Sequence, residues 1–116
     1  MRTLLAALGL TLLIATPQAA DAQWGNLVIN GMQGSDYDMA REAARQKMDG
    51  KPVGHQEHWR NPETGNQGIA VLNGLEEHEG LPCRLVTHWF KVASTGERTS
   101  LNTRICKKDG RWLIAP

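Results

Sequence analysis

The chain has 116 residues, with 13 lysines and arginines against 12 aspartates and glutamates and a formal net charge of +1. That length allows one small domain with a thin core. The near-neutral balance excludes a nucleic-acid binder driven by bulk charge, and also strong adhesion to anionic lipid.

The first segment is a targeting signal. Arg2 is the only charge before Asp21, and residues 4–15 are a nearly unbroken apolar run, interrupted by Gly9 and Thr11. Pro17 and Gln18 end any helix, and Ala20-Asp21-Ala22 places small residues at both specificity positions of a cleavage site. A basic start, a short apolar middle and an A-x-A end predict a secretory signal peptide over residues 1–22, cleaved after Ala22. The run is too short for a membrane span, which needs about 20 residues. With no Cys beside the cleavage site, the lipid-attachment route of bacterial lipoproteins is closed. Residues 23–116 are expected to remain, with no transmembrane segment after processing. They divide into a short N-terminal segment, 23–34, and a domain, 35–116.

Within residues 23–34, Trp24 and the apolar triplet Leu27-Val28-Ile29 fit either an edge strand or an apolar tether. One helix follows. Ser35 with Asp38 three residues on resembles a capping box, and Asp36 and Asp38 suit the positive end of a helix dipole. Ala40, Ala43, Ala44 and Met48 favour helix, and Gly50 with Pro52 ends it. Tyr37, Ala40, Ala44 and Met48 form a stripe at helical spacing that is expected to cover a sheet.

Strands fill the rest. Residues 53–60 read as a polar strand, residues 61–66 as a turn rich in Asn, Pro and Gly, and residues 67–72 as the returning strand. Residues 73–82, rich in Gly and Glu, read as a loop. Residues 81–92 and 97–108 read as a hairpin around the turn 93–96. If Val92 pairs with Glu97, Cys83 falls opposite Cys106. Arg84, Val86, His88 and Phe90 then share one face with Ile105, Thr103, Leu101 and Thr99, and Leu85, Thr87 and Trp89 take the other. Two cysteines in an exported chain predict a Cys83–Cys106 disulfide. The absence of a C-x-x-C pair argues against a metal or redox pair. Asp109-Gly110 is a two-residue turn that pairs Lys108 with Arg111, Lys107 with Trp112 and Ile105 with Ile114. Val86, Phe90, Leu101, Ile105, Trp112 and Ile114 are the expected core, with the charged end of Lys107 in water. The fold class is α+β: one N-terminal helix on a four- to five-stranded antiparallel sheet, with one disulfide.

The run Trp59-Arg60-Asn61-Pro62-Glu63-Thr64-Gly65-Asn66 is followed by Pro82-Cys83-Arg84 and by Cys106-Lys107-Lys108-Asp109-Gly110-Arg111-Trp112. In order and spacing these motifs resemble the C-terminal domain of the rickettsial 17 kDa surface antigen family and its proteobacterial relatives. The resemblance covers about residues 35–116. It implies a location in the outer membrane or periplasm, and it carries turns, a disulfide and a packed Trp rather than chemistry. Family members are commonly lipoproteins, and many carry a glycine-zipper segment before this domain. Here there is no lipid-bearing Cys, and residues 23–34 are too short for the zipper. A periplasmic or secreted protein therefore stands beside one held peripherally at a membrane.

Few residues carry a pattern that points to chemistry. His55 and His58 are expected on opposite strand faces, which does not suit a zinc site. Glu76, Glu77, His78 and Glu79 match no calcium loop and read as a solvated acidic stretch. His88 reads as a histidine at the core edge, tied to no carboxylate or hydroxyl by any motif. Trp59 and Trp112 read as packing groups. Trp89 falls on the face away from the helix, where an exposed indole marks a candidate binding residue. The expectation is a noncatalytic cell-envelope protein with a structural or interaction role, using no metal and no cofactor. The alternative is a small binding module that recognises a glycan or an envelope protein through an aromatic sheet face.

Overall fold

A computed structural model describes residues 28–115. The expected signal peptide and its cleavage site lie outside the described residues, as do Trp24 and Leu27. Helix α1 spans Gly34–Arg45, and five strands follow: β1 Gln56–Arg60, β2 Gln67–His78, β3 Leu81–Lys91, β4 Arg98–Lys108 and β5 Arg111–Ile114. The strands form one antiparallel meander in the order β1-β2-β3-β4-β5, and α1 lies across β1 and β2. This is the expected α+β class, with the strand count resolved at five.

The β3–β4 register is the one that turn and alternation demand. Cys83 pairs with Cys106, Val86 with Thr103, His88 with Leu101 and Trp89 with Ser100, and the Cys83–Cys106 disulfide is formed. The β4–β5 pairs Ile105–Ile114, Lys107–Trp112 and Lys108–Arg111 also agree. Val86, Phe90, Ile105 and Ile114 are buried, with Leu101 and Trp112 packed against them. Ala40, Ala43 and Ala44 of α1 are also buried, as are Ala70, Leu72 and Val92. Small side chains at these helix positions let α1 sit close to the sheet. Residues 28–33 form no strand. Ile29 enters the core instead, so this part of the N-terminal segment is an apolar tether.

Two expectations are corrected. The loop expected at residues 73–82 is mostly strand: β2 runs on to His78 after an irregularity between Leu72 and Gly74. Glu79 and Gly80 then turn the chain with φ of 52° and 81°, the positive φ pair of a tight hairpin. The irregularity breaks the two-residue period, and the outward side of this stretch is polar, so it lacks an apolar alternation. Cross-strand bonds hold it instead. Asn73 bonds to Thr87, and Arg104 Nε donates to Glu76 Oε2 at 2.6 Å.

The second correction concerns the helix start. The cap is Gln33, and its boxed partner is Asp36 rather than Asp38. The Gln33 backbone N–H donates to Asp36 Oδ2 at 2.8 Å, whereas Asp38 faces out and pairs with Arg41. The reason is tertiary. The turn at residues 61–66 folds onto the helix start and surrounds Asp36 with donors. Asn61 Nδ2 and Thr64 Oγ1 donate to Oδ1 at 2.8 and 2.7 Å, and Asn66 Nδ2 donates to Oδ2 at 2.9 Å. Asn66 also donates to the Gly31 carbonyl, and its Oδ1 accepts the Ala93 N–H. One fully buried carboxylate thus ties the tether, the helix start and two hairpin turns together. Burial pushes its pKa up, but the hydrogen bonds from Asn66, Thr64, the Gln33 backbone and Asn61 outweigh it and hold the group below 3.8.

The far end of α1 is held by a cation. Arg84 Nη1 donates to the Ala44 and Arg45 carbonyls at 3.0 and 2.6 Å, its Nη2 bonds to Asp49, and the guanidinium lies 3.8 Å from the Trp112 ring centroid. A cation on the last carbonyls complements the helix dipole.

Replacing Asp36 with Ala leaves three side-chain donors and a backbone N–H without their acceptor. Urea unfolding of Asp36→Ala is expected to show a loss of about 3 kcal/mol. Asp38→Ala, which removes only an exposed pair, should change stability by less than about 0.5 kcal/mol.

Candidate binding face around Trp89

Strand alternation sends residues 85, 87, 89 and 91 of β3 to the face opposite α1. The pairings of β1, β2 and β4 extend two rows across that face. One row is Arg60, Gln67, Lys91 and Arg98, and the next is His58, Ile69, Trp89 and Ser100. These rows end at the two turns that Asp36 and Asn66 fix, so the buried network sets where Arg60 and Gln67 stand.

A groove of about 550 Å³ opens here, lined by Trp89, Ile69, His58, Arg60, Lys91 and Arg98 among others. A volume of that size is within the range of small-molecule sites. Trp89 is 50% exposed, the one aromatic side chain among the large apolar groups that face solvent in the described residues. Among the described residues no carboxylate lines the groove. Three permanent cations around one exposed indole therefore define its character.

Gly68 shapes the inner wall. A Cβ at this position would come within 2.6 Å of the Trp59 ring and 2.5 Å of the Trp89 carbonyl oxygen. Only a residue without Cβ lets the Trp59 ring approach β2 this closely. Trp59 in turn meets Phe90 edge-on with centroids 6.3 Å apart. The groove is thus backed by a rigid aromatic cluster.

The other residues singled out from the sequence do not converge. His55 precedes β1 and bonds to Glu57 at 3.0 Å, while His58 borders the groove. Glu76 is held by Arg104, and His78 lies 3.5 Å from Glu79. His88 is buried and stacks on Phe90 with centroids 6.0 Å apart. Burial lowers its pKa from 6.5 to about 4, so the ring is neutral at neutral pH. Among the described residues no three of His, Cys, Asp and Glu stand close enough to share a metal ion.

Sequence reasoning placed Trp89 on the outer face but did not assemble the cations around it. The signal was present: Arg60, Lys91 and Arg98 each stand at a strand end beside a turn. Bringing them into one row requires three strand registers at once.

No family model matches the chain, and no solved structure matches it significantly. The chain is similar to a rickettsial surface antigen. Two curated relatives, each a 17 kDa surface antigen of Rickettsia bellii and one of them from strain RML369-C, are 27% identical to it over 90 residues. The match covers 77% of this chain and 56% of each relative, so the chain spans about half the length of the curated relatives it matches. The likeness first seen in the turn and cysteine motifs is thus found over most of the chain. Together with the disulfide it points to an exported protein.

The buried His88 makes stability depend on pH. Its folded pKa is depressed, so the unfolded chain binds the extra proton between pH 6.5 and about 4. Stability is therefore lost as pH falls through that window, by about 3 kcal/mol for this group. Urea titrations at stepped pH should show that slope in the native chain and a flatter one in His88→Gln.

Proposed function

We propose that this chain is a noncatalytic binding domain of the cell envelope, acting in the periplasm or at the outer membrane. It recognises an envelope protein or cell-wall glycan through the Trp89 face. The observation that carries this reading is the half-exposed Trp89 in the wall of a groove with a cationic rim. Exposing an indole forgoes the favourable transfer of a large apolar surface from water. An aromatic anchor in a groove is the usual centre of a binding surface.

The placement of the ionisable groups supports a noncatalytic role. Asp36 is engaged by the turn at residues 61–66, His88 is enclosed beside Phe90, and Glu76 is held by Arg104. Among the described residues the groove itself offers His58 with cations and no carboxylate to orient it as a base. No helix among the described residues is long and apolar enough to cross a membrane, and any attachment to the envelope is proposed to be peripheral. The name of the relatives supports the envelope location.

A purely structural envelope role is the second reading, favoured by the density of bonds around Asp36. Trp89→Ala separates the two, because the side chain is half exposed and its loss should leave the fold intact. Co-sedimentation of the disulfide-bonded protein with isolated envelopes is expected to weaken about tenfold in Trp89→Ala. Unchanged co-sedimentation would leave the structural role.

A further inference from the structure

The groove's own chemistry narrows its occupant. Arg60, Lys91 and Arg98 lie in one row across four adjacent strands, a span of about 14 Å at the ordinary strand spacing. Trp89 and Ile69 occupy the next row, and no carboxylate among the described residues lines the groove to neutralise the cations. A ligand that satisfies both rows needs repeated negative charge along one edge and a flat, weakly apolar face beside it.

Three partner classes fit poorly. A folded protein partner needs about 800 Å² on each side with an apolar core, whereas Trp89 and Ile69 are the outer-face apolar side chains that line this groove and cations rim it. Single-stranded nucleic acid stacks successive bases on several aromatic platforms, and this groove exposes a single indole. A lipid surface calls for several apolar groups to insert alongside the charges. An acidic sugar chain meets every requirement. The C–H face of a pyranose ring packs on an indole, and its carboxylates take bidentate bonds from arginine.

Resting on the reading that the Trp89 face is a binding site, we infer that its ligand is an acidic glycan, a chain of sugars bearing carboxylates. Trp89 carries a sugar ring, and Arg60, Lys91 and Arg98 hold the carboxylates of that ring and its neighbours. Because Arg60 and Arg98 are exposed and Lys91 is half-buried, the binding weakens as salt rises.

The test titrates the disulfide-bonded protein with a galacturonate hexamer, reading calorimetry and tryptophan fluorescence. Maltohexaose, a glutamate hexamer and an oligothymidylate serve as comparisons. The galacturonate is expected to bind at least about tenfold more tightly than each of the three and to perturb the fluorescence. Trp89→Ala should abolish that binding, and Arg60→Gln and Arg98→Gln should each weaken it about threefold or more and reduce its salt dependence. Equal binding of maltohexaose, tighter binding of the glutamate or thymidylate chain, or no galacturonate binding would each overturn the inference. If Trp89→Ala still loses envelope co-sedimentation in those cases, the ligand class is wrong and the binding face stands. If it does not, the binding face itself falls.

Discussion

Burying a carboxylate costs several kcal/mol unless donors surround its oxygens. Asp36 is buried completely and collects four hydrogen bonds, from Gln33, Asn61, Thr64 and Asn66. Those donors come from the residue before the helix and from the turn 25 to 30 residues further along the chain. The bonds select which Asp of the helix start turns inward, where α1 begins and how the turn at residues 61–66 is oriented. Asn66 passes the constraint on to Gly31 and Ala93. The position of Asp36 at the positive end of the helix dipole favours its ionised form further.

Arg84 is the counterpart at the other end of α1. It places positive charge on the final carbonyls and stacks on Trp112. An anion at the helix start and a cation at its end, both supplied with tertiary partners, hold a short helix that would be marginal alone. The disulfide lies at the same end of the sheet as Arg84, on the outer face. The turn at residues 61–66 closes the other end, where the cationic row and Trp89 stand. The buried bonds thereby fix the turn that sets Arg60 of β1 and Gln67 of β2 at the groove on the exposed side. The motifs on which the resemblance to the surface antigens rests acquire a physical meaning in this arrangement. The Asn, Thr and Asn of the turn are ligands of Asp36, the Arg after the first cysteine caps the helix, and the closing Trp is its stacking partner.

Much of the sheet was legible because local rules determine it. A four-residue turn, an Asp-Gly turn and strict alternation give the pairings of β3, β4 and β5 with their faces, and with them the disulfide and the outward position of Trp89. The extension of β2 to His78 was not legible. Its irregularity at Leu72 and Gly74 breaks the period, and its stabilising contacts with Thr87 and Arg104 lie across strands. The role of Asp36 was hidden for a related reason. Its partners lie 25 to 30 residues away, and three carboxylate-binding side chains in a turn look identical to three ordinary turn formers. The cationic row escaped notice because it exists only once three registers are combined.

The central claim is that Asp36 stays ionised inside this network and organises the groove end of the sheet. Side-chain amide hydrogen exchange of Asn61 and Asn66, followed by NMR, tests it most directly. Both Nδ2 groups donate to a fully buried acceptor, so their protons should exchange slowly, at rates set by unfolding of the whole domain. Exchange as fast as that of a solvated asparagine amide, in an otherwise folded chain, would contradict the account.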